Sequence, residues 1–211
     1  MTITVKNLSQ KYRDKVIYKN INLSFETNKT YALIGPSGSG KSTILNSLAR
    51  IIKPTAGEIL INNQNIWKMK EQKYFKEYLG YVFQNYALID EQTVAYNLSI
   101  VNKNKQHQIK VLEDYQLDKE LLKAKVYELS GGQAQRVSMA RMALKNPKII
   151  LADEPTGALD EKTGSEIIAR ILELATPETY VIIATHDPKI YTQVDYVIDL
   201  EVLLNGGISD A

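Results

Sequence analysis

The feature that most limits how this sequence can fold is the glycine-rich segment Gly35–Ser42, which fits G-x-x-x-x-G-K-[ST] at every fixed position. The short apolar run Tyr31–Ile34 precedes it, which is typical of a strand buried on both faces. After Lys41, apolar residues recur at helical spacing as far as Ile52, where a proline and a glycine follow. Chance alone would produce the motif in about one chain in a hundred of this length, and the strand–loop–helix setting favours a phosphate-binding loop.

Each residue type of this loop has a chemical reason. Glycines let the backbone turn tightly and bring N–H groups close to phosphate oxygens, and the start of the following helix adds its positive dipole end. Lys41 supplies a mobile cation for the β- and γ-phosphates, and the hydroxyl of Ser42 can bind Mg²⁺. The sequence therefore predicts a nucleotide site made by Gly35, Pro36, Ser37, Gly38, Ser39, Gly40, Lys41, Ser42 and Thr43.

The rest of the chain alternates strand-like and helix-like segments. Further strands are predicted at Glu58–Ile61, Tyr81–Phe83, Lys148–Ala152, Tyr180–Ala184 and Tyr196–Leu200. Between Asn85 and Pro147 no strand-like run occurs, and residues 106–124 carry helically spaced apolar positions. We predict one α/β domain with a parallel core sheet, because strand–helix–strand crossovers favour parallel pairing. Its core spans about residues 1–84 and 148–211, and a helical lobe at about 85–147 is inserted between two strands.

Composition excludes several classes of protein. The 211 residues contain no cysteine, which rules out disulfides and cysteine-ligated metals and fits a reducing compartment. The formal net charge of +2 is too small to indicate a nucleic-acid partner. No apolar run approaches the roughly 20 residues of a membrane span, and the N-terminus does not have the pattern of a targeting signal. Any membrane part of the protein's task is therefore expected on other chains.

Two adjacent acids end the predicted strand Lys148–Ala152. Ligands of open α/β sheets gather at the carboxyl ends of strands, so Asp153 is predicted beside the phosphate loop as a Mg²⁺ ligand. On an extended chain Glu154 points the other way, and we expect it to orient or deprotonate an attacking water. Taken alone, such a pair is more often a solvated strand end; the phosphate loop reverses that balance.

A second glycine-containing helix start occurs at Leu129–Gln133. Ser130 is a good N-cap residue, and the two glycines after it expose N–H groups that can bind an anion. Local chemistry equally allows an ordinary loop-to-helix junction.

Taken together, these segments resemble the ATP-binding cassette family over nearly the whole chain. Leu129-Ser130-Gly131-Gly132-Gln133 is that family's signature sequence without alteration. The other matching positions follow the family order: Tyr12 for adenine stacking, the phosphate loop, Gln84, the signature, Asp153-Glu154, Ala158-Leu159-Asp160 as the loop that crosses to a partner, and His186 as the switch histidine. Singly, Tyr12, Gln84 and His186 each have a structural explanation, and His107 is taken as a solvated residue.

The resemblance implies a P-loop NTPase core with N-terminal antiparallel β strands and an inserted α-helical lobe. It implies ATP and Mg²⁺, with Glu154, His186 and Lys41 catalytic and with Ser42, Gln84 and Asp153 at the metal. Two copies, or one copy and a related cassette, pack head to tail, so that Ser130, Gly131, Gly132 and Gln133 meet the ATP bound by the partner. A membrane permease receives the motion near Gln84, which places the chain in the cytoplasm, peripheral to the inner face of the cell membrane.

The segment Asp153–Asp160 is similar to the branch of lipoprotein-release, macrolide-export and cell-division cassettes. Within it, Val82–Asp90 most resembles Gram-positive exporters of bacteriocins and antimicrobial peptides. Tyr96 departs from the branch, which has an acid before Asn97. The chain ends soon after Gly206-Gly207, which leaves no room for a regulatory domain of the importer type. The alternatives are a cell-division cassette with a signalling role, a cassette of translation or DNA repair, and a small-molecule kinase, which the signature disfavours.

Overall fold

The computed structural model describes residues 2–157 and 159–205. Its strands are β1 (Thr2–Tyr12), β2 (Lys15–Glu26), β3 (Thr30–Ile34), β4 (Ala56–Ile61), β5 (Gln64–Asn65), β6 (Leu79–Val82), β7 (Ile149–Asp153), β8 (Tyr180–Ala184) and β9 (Tyr196–Asp199). Its α-helices are α1 (Lys41–Leu48), α2 (Glu71–Lys73), α3 (Val94–Ser99), α4 (Lys105–Asp114), α5 (Gly131–Lys145), α6 (Glu161–Leu172), α7 (Pro188–Tyr191) and α8 (Leu200–Leu204). Three 3₁₀ turns (Ile66–Lys68, Lys119–Lys123, Val126–Glu128) and a π-helical segment (Tyr74–Tyr78) complete these ranges.

The strands form two sheets of different kinds. An antiparallel sheet has the order β2-β1-β4-β5, and a parallel sheet has the order β6-β7-β8-β3-β9. The parallel strands are short and mostly apolar; residues 149–152 of β7 and all of β8 are buried. This is the pattern of strands covered on both faces. The predicted α/β class, with N-terminal antiparallel strands and a parallel core, is confirmed.

The two faces of the parallel sheet pack into two separate cores. On one face, Ile149 and Leu151 of β7 join α1 and the antiparallel sheet. On the other face, Ile150 and Ala152 join apolar residues of α3, α4, α5 and α6. Because side chains alternate along a strand, one five-residue strand supplies both cores and holds its last residue, Asp153, at a fixed edge of the sheet.

The sheet order brings three strand ends to the same place. β8 lies between β7 and β3, and all three strands run parallel. The phosphate loop follows β3, the acidic pair ends β7, and Thr185-His186 follows β8. The carboxyl edge of the sheet therefore collects the predicted site.

Two predicted boundaries are wrong in detail. Helix α1 ends at Leu48 and does not reach Ile52, because Arg50 takes a left-handed backbone conformation with φ of 58°. The helical stretch predicted over residues 106–124 is divided: α4 ends at Asp114, and Gln116 has φ of 57° before the 3₁₀ turn Lys119–Lys123. Both breaks use a non-glycine residue at positive φ, which sequence patterns indicate poorly.

Within the described residues, no helix combines the length and the hydropathy needed to cross a membrane. His107 is exposed on α4, where its Nδ1 lies 3.3 Å from the amide nitrogen of Asn102. The predicted segment Gly206-Gly207 lies outside the described residues.

Candidate functional site

The loop Gly35–Ser42, the phosphate cradle, turns on three glycines. Gly35, Gly38 and Gly40 have φ values of 142°, 84° and 100°, in the region that side chains other than glycine rarely adopt. A Cβ added to Gly38 would meet no atom within 4 Å, whereas one added to Gly40 would lie 3.0 Å from Cγ2 of Ile17. The loop is therefore open to a ligand at Gly38 and pressed against β2 at Gly40.

Lys41, the first residue of α1, turns its side chain back into this loop. Its Nζ donates hydrogen bonds to the carbonyl oxygens of Gly35 (2.8 Å) and Pro36 (3.3 Å). The residue is only 7% exposed, and Nζ lies 4.0 Å from Oε1 of Glu154. A buried cation thus stands between the cradle and the acids that end β7.

Ser42 and Asp153 form the next contact along the cleft. The hydroxyl of Ser42 donates to Oδ1 of Asp153 at 2.9 Å. Burial raises the pKa of the Asp153 carboxyl group, and Glu154 adds to this, while the Ser42 hydrogen bond and Lys41 act in the opposite direction. A hydroxyl and a carboxylate in contact are hard oxygen donors, which fit Mg²⁺.

The backbone conformation of Glu154 differs from the one that the sequence predicted. The expectation of an extended chain at this residue is wrong, because its φ is 43° and β7 ends one residue earlier. The turn brings Glu154 into the lining of the cleft, whereas Asp153 is not a lining residue and contacts the cleft through Ser42. Its N–H donates to the carbonyl of Ala184 at 2.9 Å, and Oε1 lies 2.8 Å from Nδ1 of His186.

The sequence did not predict a role for Thr185 in the site. This buried residue places its hydroxyl 3.4 Å from Oε2 of Glu154 and also accepts the N–H of Asp187 at 3.1 Å. A threonine directly before the switch histidine carries no signal of its own in the sequence. Its contact depends on the pairing of β7 with β8.

Of these residues, Lys41, Ser42, Glu154 and His186 line an open cleft of about 690 Å³, and Asp153 and Thr185 do not. Gln84 lines it from beyond β6, as its position in the sequence predicts, and Lys15 and Ile17 line it from β2. Tyr12 is not among the lining residues; it is 44% exposed and pairs with Lys15 at the end of the β1–β2 hairpin. The complete set of lining residues is Lys15, Ile17, Pro36, Ser37, Gly38, Gly40, Lys41, Ser42, Thr43, Gln84, Glu154, Gly157 and His186.

The signature starts α5 at a distance from this cleft in the chain's own fold. Ser130 caps the helix in a capping box: its hydroxyl accepts the N–H of Gln133 at 3.3 Å, and Oε1 of Gln133 accepts the N–H of Ser130 at 2.9 Å. Neither Ser130 nor the residues Gly131, Gly132 and Gln133 line the cleft. Within this chain, the start of α5 and the phosphate loop are therefore separate features.

The loop after Glu154 leads into α6. Asp160 caps that helix by accepting the N–H of Thr163 at 3.1 Å, and this hydrogen bond lowers the pKa of the Asp160 carboxyl group. Ala158, the first residue of the predicted crossing loop, lies outside the described residues.

Comparisons with known proteins agree with this geometry. The family model described as ABC transporter matches residues 18–157. The lipoprotein-releasing system ATP-binding protein LolD of Leptospira interrogans is 34% identical over 210 residues, which cover 94% of this chain and 88% of that protein. The chain belongs to the ABC transporter family.

Two further relatives bear on how the cassette is used. It is 34% identical to the macrolide export ATP-binding/permease protein MacB of Campylobacter jejuni, over 94% of this chain and 33% of that protein. The chain thus spans about a third of the length of that relative. The cassette MJ0796 of Methanocaldococcus jannaschii, solved as a dimer, superposes with a TM-score of 0.83 at 32% identity, with 94% of each chain covered. A post-hydrolysis structure of the same cassette with ADP and Pi gives 0.82. The resemblance to the lipoprotein-release and macrolide-export branch is confirmed.

Proposed function

We propose that this chain binds and hydrolyses ATP and that the energy drives export through separate membrane subunits. The observation that carries the proposal is the meeting of five residues at one edge of the parallel sheet, where Ser42 pairs with Asp153, and Glu154 pairs with Lys41 and His186. A phosphate cradle, a metal-binding oxygen pair and a carboxylate–histidine pair are the parts that phosphoryl transfer to water requires.

The cradle residues Gly35 to Thr43 hold the phosphates through backbone N–H groups and the ammonium of Lys41. Ser42 and Asp153 would hold Mg²⁺ through their oxygens, and Gln84, an exposed residue that lines the cleft, would add an amide oxygen. When bound, Mg²⁺ neutralises charge that develops on the phosphate oxygens. Tyr12 stacks on adenine beside the cleft; its ring is exposed, and the β1–β2 pairing sets it opposite Lys15, which lines the cleft.

Glu154 orients the attacking water and receives its proton. Its carboxylate is suited to this work because Thr185 and His186 each contact one of its two oxygens and so limit its rotation. With Nδ1 directed to Glu154, the other ring nitrogen of His186 is free to face the γ-phosphate. The ammonium of Lys41 lies 4.0 Å from Oε1 of this carboxylate, so the proposed base borders the cation of the phosphate cradle.

The signature completes a site on a second cassette. Because Ser130 and the glycines after it do not line the cleft of their own chain, the Ser130 hydroxyl and the N–H groups of Gly131 and Gly132 are available to the γ-phosphate bound by a partner copy. Such a head-to-tail dimer, of two copies or of one copy and a related cassette, closes on ATP and opens after hydrolysis. Its support is the dimeric state in which the similar cassette MJ0796 was solved.

The mechanical step uses the division of the chain into a core (about 1–84 and 148–211) and a helical lobe (about 85–147). Gln84 lies at the junction, and a membrane permease receives the movement there. The cassette then works in the cytoplasm at the inner face of the membrane. The names of the relatives MacB and LolD favour export over the signalling role of cell-division cassettes. A peptide, such as a bacteriocin, is the cargo we propose from the segment Val82–Asp90.

The test replaces the proposed base with its uncharged isostere, Glu154→Gln. Turnover should fall by about 100-fold or more, the size of a general-base contribution, while ATP affinity is retained because the cradle is intact. The variant should also accumulate a dimer in ATP, detected by size-exclusion chromatography. A matched control is Glu161→Gln, whose carboxylate is exposed and pairs with Lys189 at 2.6 Å outside the cleft. Near-normal hydrolysis by Glu154→Gln would overturn the role given to this residue.

A further inference from the structure

The signature helix α5 carries a polar stripe on its inward face. Gln135, Ser138 and Arg141 follow one another at intervals of three residues, which places them on one side of the helix. Gln135 is fully buried and Ser138 is 1% exposed. A polar side chain buried in a core destabilises the fold unless its polar group is hydrogen-bonded.

Gln135 reaches from α5 to the turn that carries Glu154. Its Nε2 donates to the carbonyl oxygen of Pro155 at 2.9 Å. Its Oε1 is buried and has no hydrogen-bond partner among the residues that the structure describes. An unsatisfied buried acceptor destabilises the folded chain. An apolar side chain would remove that acceptor but would leave the Pro155 carbonyl without its donor, so what the amide supplies is this contact with the turn.

The bonded carbonyl belongs to the residue directly after Glu154. Glu154 has a left-handed φ of 43°, and the turn is closed by the N–H of Gly157, which donates to the carbonyl of Glu154 at 3.2 Å. A non-glycine residue in this conformation persists only where its surroundings hold it. The hydrogen bond from Gln135 is one of those restraints, and it comes from the signature helix.

The other two members of the stripe hold the loop that follows Gln84. The hydroxyl of Ser138 donates to the carbonyl of Tyr86 at 2.8 Å, and a guanidinium N–H of Arg141 donates to the same oxygen at 3.4 Å. Tyr86 and the next residue, Ala87, have φ of 57° and 49°. A second strained turn, two residues beyond Gln84, is thus fixed by the same helix.

We propose that the stripe Gln135–Ser138–Arg141 is a positioning device that ties the signature helix to both catalytic loops of its own chain. The proposal rests on the proposed function. When the N-terminus of α5 engages the nucleotide of the partner cassette, the stripe sets the turns that carry Glu154 and Gln84. Each copy thereby adjusts its own water-orienting carboxylate to the state of the opposite site.

The test is the substitution Gln135→Leu, which keeps the side-chain size and removes both the donor and the unsatisfied oxygen. We expect kcat for ATP hydrolysis to fall by about 10- to 100-fold, the effect of misplacing a catalytic group by about an ångström. KM and the melting temperature should change little, because the cradle and the core volume are kept. An unchanged kcat in a folded Gln135→Leu protein would overturn the proposal.

A matched control distinguishes a specific effect of the Gln135 contact from a general destabilisation of α5. Arg136 is the next residue on the same helix, and its guanidinium pairs with Glu166 of α6 at 2.7 Å without contacting either catalytic loop. Arg136→Met should therefore leave kcat within about twofold of the wild type, as expected for a partly exposed ion pair. Equal losses in both variants would contradict a specific role for Gln135.

A second variant decides the matter if Gln135→Leu does not fold. In Gln135→Glu, only the protonated carboxyl group can donate to the Pro155 carbonyl, and burial raises the pKa of such a group. The ratio of variant to wild-type kcat should therefore rise as pH falls from about 8 to about 6. A ratio independent of pH would overturn the proposal. If the wild type itself does not hydrolyse ATP, the proposed function fails; if only the stripe variants behave as wild type, the positioning role alone fails.

Discussion

At Asp153, the fold raises the pKa of a carboxyl group chiefly by burying it. An acid with a raised pKa in the folded state binds more protons folded than unfolded. Stability therefore falls as pH rises from the unfolded pKa through the folded one. At Asp195 the sign is opposite, because the N–H of Thr30 donates to the carboxylate at 2.8 Å and lowers its pKa.

The opposite pKa shifts of Asp153 and Asp195 give a prediction at the scale of single residues. Asp153→Asn should raise the melting temperature at pH 7 by about 2 °C while abolishing Mg²⁺-dependent hydrolysis, because the buried charge is removed along with the metal ligand. The gain should vanish at low pH, where the wild-type carboxyl group is protonated. Thermal unfolding at several pH values measures both effects.

Asp195→Asn is the control for this experiment. It should lower the melting temperature at pH 7 and leave hydrolysis intact, since a depressed pKa contributes stability that is lost only as pH falls through the folded value. Stabilisation by both substitutions, or by neither, would contradict the conclusion that burial of the Asp153 carboxylate destabilises the folded chain.

At the scale of elements, the N-caps of α3 and α5 offer a second prediction. Thr93 accepts the N–H of Tyr96 at 3.1 Å, and Ser130 accepts the N–H of Gln133 at 3.3 Å. Thr93→Ala and Ser130→Ala should each cost about 1 kcal/mol of stability, measured by urea unfolding. Only Ser130→Ala should also reduce ATP hydrolysis, because only that hydroxyl faces the partner's nucleotide. Equal hydrolysis by the two variants would remove Ser130 from the composite site.

The parallel strands could be predicted because each is a continuous apolar run, and β8 was predicted to the residue as Tyr180–Ala184. The bounds of the long strand β2 were not predicted, although this strand places Ile17 in the cleft. The turn at Glu154 was missed for a different reason. Its positive φ is imposed by contacts with β8 and α5, and a local pattern of residue types contains neither.

The site residues also divide into those that the sequence predicts and those that it does not. Gly35–Ser42 could be predicted because its chemistry lies within one continuous segment, whose glycines are required by the backbone itself. Thr185 and Gln135 could not, because each acts through one hydrogen bond across elements far apart in sequence. Even the resemblance at Leu129–Gln133 did not indicate that Gln133 would close a capping box on Ser130.

At the scale of the whole molecule, the separation of signature and cradle predicts how defective copies combine. Lys41→Ala removes the cation of the cradle and leaves the signature intact. Ser130→Asp keeps a good N-cap residue but places a carboxylate where the partner's γ-phosphate would lie. Each variant alone should lack activity, because every site in its homodimer contains one defective half.

A mixture of the two variants should recover activity. In a head-to-tail heterodimer, one site combines both defects, and the other combines an intact cradle with an intact signature. With random pairing, half of the dimers are mixed and each has one of two sites, so about a quarter of the wild-type rate is expected. ATP hydrolysis measured across mixing ratios should peak at equal amounts. A mixture as inactive as its components would mean that the cradle and the signature do not meet across two copies of this chain, and the partner would then be a different cassette.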